Sequence, residues 1–118
     1  LELVARELYG QAFFGGAAVP PEAAAANRRR LARNIAGFRR LARFAPWVAG
    51  DTFTLADCAA WPSLSLIAMA TKAVHGEDLL AAGGVDWKAY NQACAERPSV
   101  QRVAADRKAA QAAAAART

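Results

Sequence analysis

The most informative part of this sequence is the stretch Gly50-Asp51-Thr52-Phe53-Thr54-Leu55-Ala56-Asp57-Cys58-Ala59-Ala60. Within it, Thr54 and Asp57 have the Thr-x-x-Asp spacing of a capping box at a helix N-terminus. In such a box the Thr54 hydroxyl accepts from the backbone amide of Asp57, and the Asp57 carboxylate accepts from the backbone amide of Thr54. The run from Cys58 to Thr71 contains no Asp, Glu, Lys or Arg. We therefore predict that this box begins a long helix that is buried inside the protein.

Hydrophobic periodicity predicts helices along the rest of the chain as well, and no useful stretch alternates as a half-buried strand would. Glycine pairs and prolines separate the helical segments. The prediction is an all-α bundle of about five or six helices. They cover approximately residues 1–14, 21–44, 55–75 with a bend near Pro62, 77–82, 87–97 and 98–108, followed by an alanine-rich helical tail over 109–118.

Composition indicates one helical domain. The chain has 118 residues, of which 55% are hydrophobic, so a disordered polymer is excluded. More than a quarter of the residues are alanine, which favours closely packed helices. No segment reaches the roughly 20 apolar residues of a membrane span. Because the chain begins at Leu1 and its only methionine is Met69, we expect it to be part of a longer protein.

Neither the cysteines nor the histidine predicts a metal site. Cys58 and Cys94 form no CxxC motif, and we expect both to be reduced thiols packed as small hydrophobic groups, Cys58 in a staple with Phe53. The single histidine, His75, has no ligand partners at metal spacing. Its predicted position at a helix C-terminus would favour the cationic form. The spacing of Asp57 to Thr54 favours a capping role over that of a general base.

Arginines are concentrated on the second predicted helix, and the net charge of the chain is +5. At 100° per residue they lie on the side away from the apolar positions, which is typical of a solvated helix face. A site for nucleic acid or another polyanion is the alternative, and contacts between subunits are a third. No aromatic residues alternate with the arginines for base stacking, so we expect no nucleic-acid partner. The arginines are Arg28, Arg29, Arg30, Arg33, Arg39, Arg40 and Arg43.

Two segments resemble the C-terminal helical domain of the glutathione transferases. The first, residues 48–57, reads Val-Ala-Gly-Asp-Thr-Phe-Thr-Leu-Ala-Asp and is similar to the loop and capping box that open the central helix of that domain. The second reads Val85-Asp86-Trp87-Lys88-Ala89-Tyr90, followed by Glu96-Arg97-Pro98-Ser99-Val100-Gln101-Arg102. It is similar to the late tryptophan-containing helix of the family and to the turn into its last helix. The resemblance covers approximately residues 46–108.

The resemblance implies that residues 1–118 form the C-terminal domain of a glutathione transferase whose N-terminal thioredoxin-like half is absent from this chain. In that family the N-terminal half binds glutathione, the co-substrate, and supplies the catalytic residue. The helical half holds a hydrophobic electrophile. We therefore expect this segment to contain no catalytic residue, to bind no cofactor or metal, and to be inactive alone. The resemblance also implies a cytoplasmic homodimer with no membrane partner, and the composition favours a bacterial source.

The candidate substrate-binding residues lie on the first predicted helix. Arg6, Gly10 and Phe13 share one face, and Tyr9 borders it. An ordinary amphipathic helix is one interpretation. The resemblance implies the other, because in glutathione transferases this helix lines the cleft between the two domains.

The whole protein also has an alternative function: such domains occur in non-catalytic proteins, fused to translation factors and tRNA synthetases, where they mediate assembly.

Overall fold

The computed structural model describes residues 1–118 and confirms the all-α prediction, with no strand beyond an isolated bridge between Trp47 and Gly50. The first helical segment is interrupted, so that α1 and α2 are separated by a 3₁₀ turn. If this segment is counted once, the chain has six helices. The elements are α1 Glu2–Ala5, the 3₁₀ turn Arg6–Leu8, α2 Tyr9–Phe13, α3 Pro21–Leu41, α4 Leu55–His75, α5 Leu79–Ala82, α6 Trp87–Ala95 and α7 Pro98–Ala115.

Helix α4 is the central element and packs against α1, α2, α3, α5 and α6. Its bounds are those predicted, with Thr54 as the N-cap and Gly76, in the left-handed conformation at φ 75°, as the C-cap. Most of its buried residues lie from the middle of the helix onward: Leu64, Ile67, Ala68, Ala70 and Thr71. An uncharged sequence therefore does form the centre of the bundle.

The first turns of α4 are less buried than predicted. Leu55 is 85% exposed, and the Cys58 side chain is exposed as well. The expectation that Cys58 packs as a buried thiol is therefore wrong, while Cys94 is fully buried as predicted. Phe53, which was expected to staple to Cys58, has its ring edge-on to Trp47 at 5.2 Å between centroids. An aromatic partner from the preceding loop offers Phe53 more contact area than a cysteine does.

Helix α3 ends at Leu41, three residues earlier than predicted. Phe44 leaves the helix with a positive φ of 48° and turns its ring into the core. There it meets Phe38 at 5.8 Å and Tyr90 at 5.2 Å between ring centroids, both edge-on. The aromatic contacts stabilise a conformation that local helix propensity does not favour.

Aspartate caps begin both short helices that follow α4. The Asp78 carboxylate accepts from the amides of Leu80 and Ala81, and that of Asp86 accepts from Ala89. Asp78 also accepts from the Trp87 indole at 2.7 Å, which joins α5 to α6. The three tryptophans pack half-buried against the core, as expected of core anchors.

The last helix, α7, extends away from the bundle. Val100 is its only buried residue, and every residue from 101 to 118 is exposed. None of the helices combines the length and apolar character needed to cross a bilayer. No cluster of His, Cys, Asp or Glu has the composition of a metal site.

Candidate functional site

The predicted substrate face carries an exposed group of aromatic rings at the end of α2. The rings of Tyr9 and Phe13 lie 5.2 Å apart at an interplanar angle of 54°, and Phe14 meets Phe13 edge-on at 6.5 Å. Phe13 is 37% exposed and Phe14 79% exposed. Two large apolar rings at the surface of one short helix form a patch to which an apolar molecule can bind.

The hydroxyl of Tyr9 is buried and has no hydrogen-bond partner within the chain. Buried hydroxyls are nearly always paired, so an unpaired one needs an explanation. The pKa of Tyr9 is raised, first because burial disfavours the phenolate and then because the Glu2 carboxylate lies nearby. The group therefore remains protonated at neutral pH.

Arg6 is already paired. Its guanidinium donates to both carboxylate oxygens of Glu2, from Nε at 3.1 Å and from Nη2 at 2.9 Å. Its side chain is 63% exposed, so the pair is a solvated i,i+4 contact of small energy. To bind an anionic ligand, Arg6 would have to leave Glu2.

Gly10 lies beside open space. A Cβ atom at this position would meet nothing within 4 Å, so no neighbouring helix of this chain requires a glycine there. The close backbone approach occurs instead at Gly16, whose amide donates to the Gly10 carbonyl at 2.9 Å and whose own Cβ would lie 2.9 Å from that oxygen. The space over Gly10 is available to something outside the chain.

Asn27 supports this face from behind, and sequence reasoning missed it. It is 1% exposed, and its Nδ2 donates to the Val4 carbonyl at 2.8 Å and to Glu7 at 3.0 Å. Arg30 holds the same Glu7 oxygen. The Asn27 and Arg30 hydrogen bonds together keep the pKa of Glu7 low. Nothing in the sequence indicates this role for one asparagine in an alanine- and arginine-rich helix, because its hydrogen-bond partners lie in another helical segment.

The Asn27–Val4 contact lies beside the 3₁₀ turn that interrupts the first helical segment. The sequence predicted one continuous helix over residues 1–14, which is wrong at this turn. The Asn27 side chain of α3 competes with backbone amides for the Val4 carbonyl. Helix propensity depends on the local sequence only, so it does not predict this contact.

His75 does not behave as a helix-terminal cation. Its Nε2 lies 3.3 Å from the Asn27 amide oxygen, and its pKa is lowered, first by burial and then by the positive charge of Arg28. His75 ends α4 as predicted, but burial and the positive charge of Arg28 disfavour its cationic form. Lys72 supplies the cation at this end of α4 by donating to the Gly76 carbonyl at 3.1 Å.

Asp57 is fully buried, and donors saturate its carboxylate. Oδ2 accepts from the Thr54 amide at 3.0 Å, while Oδ1 accepts from the Val48 amide at 3.0 Å and from the Tyr90 hydroxyl at 2.8 Å. Both halves of the capping box are formed, and the Thr54 hydroxyl also accepts from Ala56 at 3.2 Å. Burial alone would raise the pKa of Asp57, but these hydrogen bonds hold it low. A carboxylate engaged in this way is structural.

The arginines of α3 divide into paired and unpaired groups. Arg28 pairs with Glu77, and Arg30 pairs with Glu7. The others are exposed and form no ion pair, as a solvated face requires. They are Arg29, Arg33, Arg39 and Arg40, and the same holds for Arg43, which lies just beyond the end of the helix.

Comparisons with known proteins agree with the all-α fold. Residues 21–102 match the family described as glutathione S-transferase, C-terminal domain. A protein from Pseudomonas putida named glutathione S-transferase is 37% identical over 109 residues, which are 92% of this chain and 49% of that protein. The chain thus spans about half the length of the curated relative it matches.

Proposed function

The chain belongs to the glutathione S-transferase family through its C-terminal domain, and from this premise we propose that it is the electrophile-binding half of a glutathione-conjugating enzyme. In this proposal a thioredoxin-like half, encoded upstream, binds glutathione and provides the residue that activates its thiol. Residues 1–118 belong to the helical half. The helical half alone therefore conjugates nothing.

One observation carries the proposal: two exposed phenylalanine rings, Phe13 and Phe14, follow within about one turn a glycine, Gly10, that has open space beside it. An aryl electrophile would lie against Phe13 and Phe14. To donate to its electron-withdrawing substituent, where negative charge develops as a thiolate attacks, the buried Tyr9 hydroxyl would have to turn outward. Arg6 lies one turn before Gly10, and its positive charge would make the electrostatic potential at the edge of the site more positive.

The cellular setting is part of the same proposal. We propose a bacterial, cytoplasmic homodimer whose partners are its own N-terminal domain and a small hydrophobic electrophile. The two cysteines are unpaired, which agrees with a reducing compartment. The similar protein is bacterial and about twice as long as this chain.

The test uses the full-length protein with glutathione and 1-chloro-2,4-dinitrobenzene. Gly10→Leu would place a side chain in the open space, and we expect KM for the aryl halide to rise about tenfold, with KM for glutathione unchanged. The matched control is Gly37→Leu, another helical glycine with nothing within 4 Å of its Cβ position. Equal kinetics for the two variants would contradict the site assignment.

The alternative function makes a different prediction for the same protein. If the domain is a non-catalytic interaction module, the full-length protein shows no turnover above the uncatalysed rate. The sequence upstream of Leu1 then contains no thioredoxin-like half with a Ser, Tyr or Cys near its first strand.

A further inference from the structure

Two open cavities on the surface of α3 are each lined by an alanine and by the arginines three and four positions after it. The alanines are Ala26 and Ala36, and the cavities measure about 320 and 390 Å³. Helical side chains three and four positions after a residue lean back over it, toward the helix N-terminus. Because alanine is small, each pair of arginines therefore encloses a notch in the helix surface.

The first notch, at Ala26, shows what such an arginine binds when a partner is within reach. Arg30, one of the two arginines that line it, forms an ion pair with the Glu7 carboxylate of the first helical segment. The same carboxylate oxygen accepts from the Asn27 amide. Part of the positive charge of the first notch is thus compensated within the chain.

The second notch, at Ala36, has two cations and no counter-ion. Arg39, Arg40 and Gly83 complete its lining, and neither arginine forms an ion pair. Asp86 lies in the same region and lines two further cavities with Gly84. Its carboxylate caps α6 by accepting from the Ala89 amide at 3.1 Å, and it pairs with neither arginine. The charge of the second notch is therefore uncompensated.

Arg39 is held against the glycine pair that follows α5. A Cβ atom on Gly84, which has a φ of 81°, would lie 2.9 Å from Nε and 3.1 Å from Cζ of Arg39. A Cβ atom on Gly83 would lie 2.4 Å from Cγ2 of Ile35, so both glycines allow the loop to lie close to α3. A guanidinium packed on backbone in this way loses less conformational entropy on binding an anion than one that moves freely in solvent.

We propose that the notch formed by Ala36, Arg39 and Arg40 binds a phosphate group, either free or as the ester of a larger molecule. Two guanidinium groups without counter-ions match the nearly double negative charge of a phosphate group at neutral pH, whereas a carboxylate carries one charge. The planar donors of arginine also suit phosphate oxygens. Both arginines are exposed, so we expect a salt-dependent Kd of about 1–5 mM.

The site shares no residue with the candidate substrate face and does not depend on the proposed function. Phenylglyoxal, which reacts with free guanidinium groups, provides the test. Its rate of reaction at each arginine of the full-length protein is measured by peptide mass spectrometry at constant ionic strength. We expect inorganic phosphate at about 10 mM to slow the reaction at Arg39 and Arg40 about threefold or more. Arg33, an exposed and unpaired arginine of the same helix, should change little.

Two further anions define the chemistry of the ligand. Acetate at the same concentration should protect the two arginines much less than phosphate does, because it carries one charge. Glycerol 3-phosphate distinguishes the two sources of the phosphate group. Protection at a similar concentration would assign the notch to a phosphate ester, and protection by inorganic phosphate alone would assign it to the free anion.

Two charge-matched variants test the location. Ala36→Glu places a carboxylate one turn before Arg39 and Arg40, where it would pair with them and exclude phosphate. Ala25→Glu adds the same charge one turn before two other arginines of α3 and is the control. Both alanines are exposed, so we expect both variants to fold. Phosphate should no longer slow the reaction at the two arginines in Ala36→Glu, and it should still do so in Ala25→Glu. The proposal is overturned if phosphate protects Arg33 equally, if acetate protects as well as phosphate, or if both variants respond to phosphate alike.

Discussion

The Tyr90 hydroxyl donates to the buried carboxylate of Asp57 at 2.8 Å, joining α6 to the first turn of α4 across 33 positions of sequence. The same carboxylate closes the capping box and holds the Val48 amide of the preceding loop. One side chain therefore connects a helix start, the loop before it and a helix near the end of the domain. Burial and the hydrogen bond to Asp57 both raise the pKa of Tyr90, so its hydroxyl remains a donor.

Asp57→Asn should be strongly destabilising, although it preserves the shape of the side chain. Both carboxylate oxygens accept from backbone amides, and an asparagine would turn its NH₂ group toward one of those donors. We expect a loss of about 2–3 kcal/mol in the free energy of unfolding, measured by urea denaturation. Asp51→Asn, at an exposed position of the same loop, is the control and should change stability little. Near-parental stability for Asp57→Asn would mean that the buried network is not formed.

The two tyrosines of the chain form a matched pair for testing hydrogen-bond energies. Tyr90→Phe removes a donor to a buried carboxylate and should cost about 1.5–3 kcal/mol. Tyr9→Phe removes a hydroxyl that has no partner, so it should leave stability unchanged or slightly higher. Chemical denaturation of both variants checks this. A larger loss for Tyr9→Phe would show that its hydroxyl has a partner within the chain.

Stability should fall as the pH decreases below about 7. The pKa of His75 is lowered in the folded state, so the unfolded chain, with its histidine near 6.5, binds the proton first. The contribution of His75 is therefore complete above the unfolded pKa and is lost as pH falls toward the folded one. Since the chain has one histidine, His75→Gln should flatten this part of the pH–stability profile. If stability still falls with decreasing pH in the variant, titrating groups other than His75 are responsible.

Asn27→Ala should destabilise the junction of α1, α3 and α4. It leaves the Val4 carbonyl without its side-chain donor and removes one donor from Glu7, in a region that excludes water. We expect about 2–3 kcal/mol less stability, from lost hydrogen bonds and a small cavity. Asn34→Ala, at a half-buried position two turns later in α3 whose side chain forms no hydrogen bond, is the control. Equal losses for the two variants would contradict a specific role for Asn27.

The exposed arginines of α3 should bind DNA only non-specifically. They are unpaired, yet no aromatic side chain lies among them for base stacking. For a short duplex at physiological salt we expect a Kd of about 10⁻⁴ M or weaker, measured by fluorescence anisotropy. Submicromolar binding would favour a polyanion site over a solvated face.

Local signals along the chain were sufficient for the architecture. The capping box at Thr54 and Asp57 is a pattern within four residues, and the uncharged run after it marks the buried helix. Aspartate and proline likewise mark the starts of α6 and α7. These signals can be recognised in the sequence because the groups that interact are only a few residues apart, where the backbone geometry of a helix start already determines which of them can meet.

The candidate site was predictable only in part. The assignment of Arg6, Tyr9, Gly10 and Phe13 to a substrate face rests on helical spacing and on the family resemblance, and it stays a prediction. The supporting residue, Asn27, could not be predicted in this way, because its partners in the first helical segment lie about 20 positions away. The exposure of Cys58 was also unforeseen, since periodicity identifies an apolar helix but not which of its sides remains uncovered.

The sequence by itself determined that this protein is an all-α domain with a capped, uncharged central helix, because caps, breakers and periodicity act over a few residues. Only the tertiary structure decided which polar groups are buried together and which apolar surfaces stay open. Asp57 meets Tyr90, and Phe44 turns into the core, through contacts between segments far apart in the chain. The energy of such contacts comes from burial and from the pairing of desolvated groups, which depend on the packed arrangement as a whole.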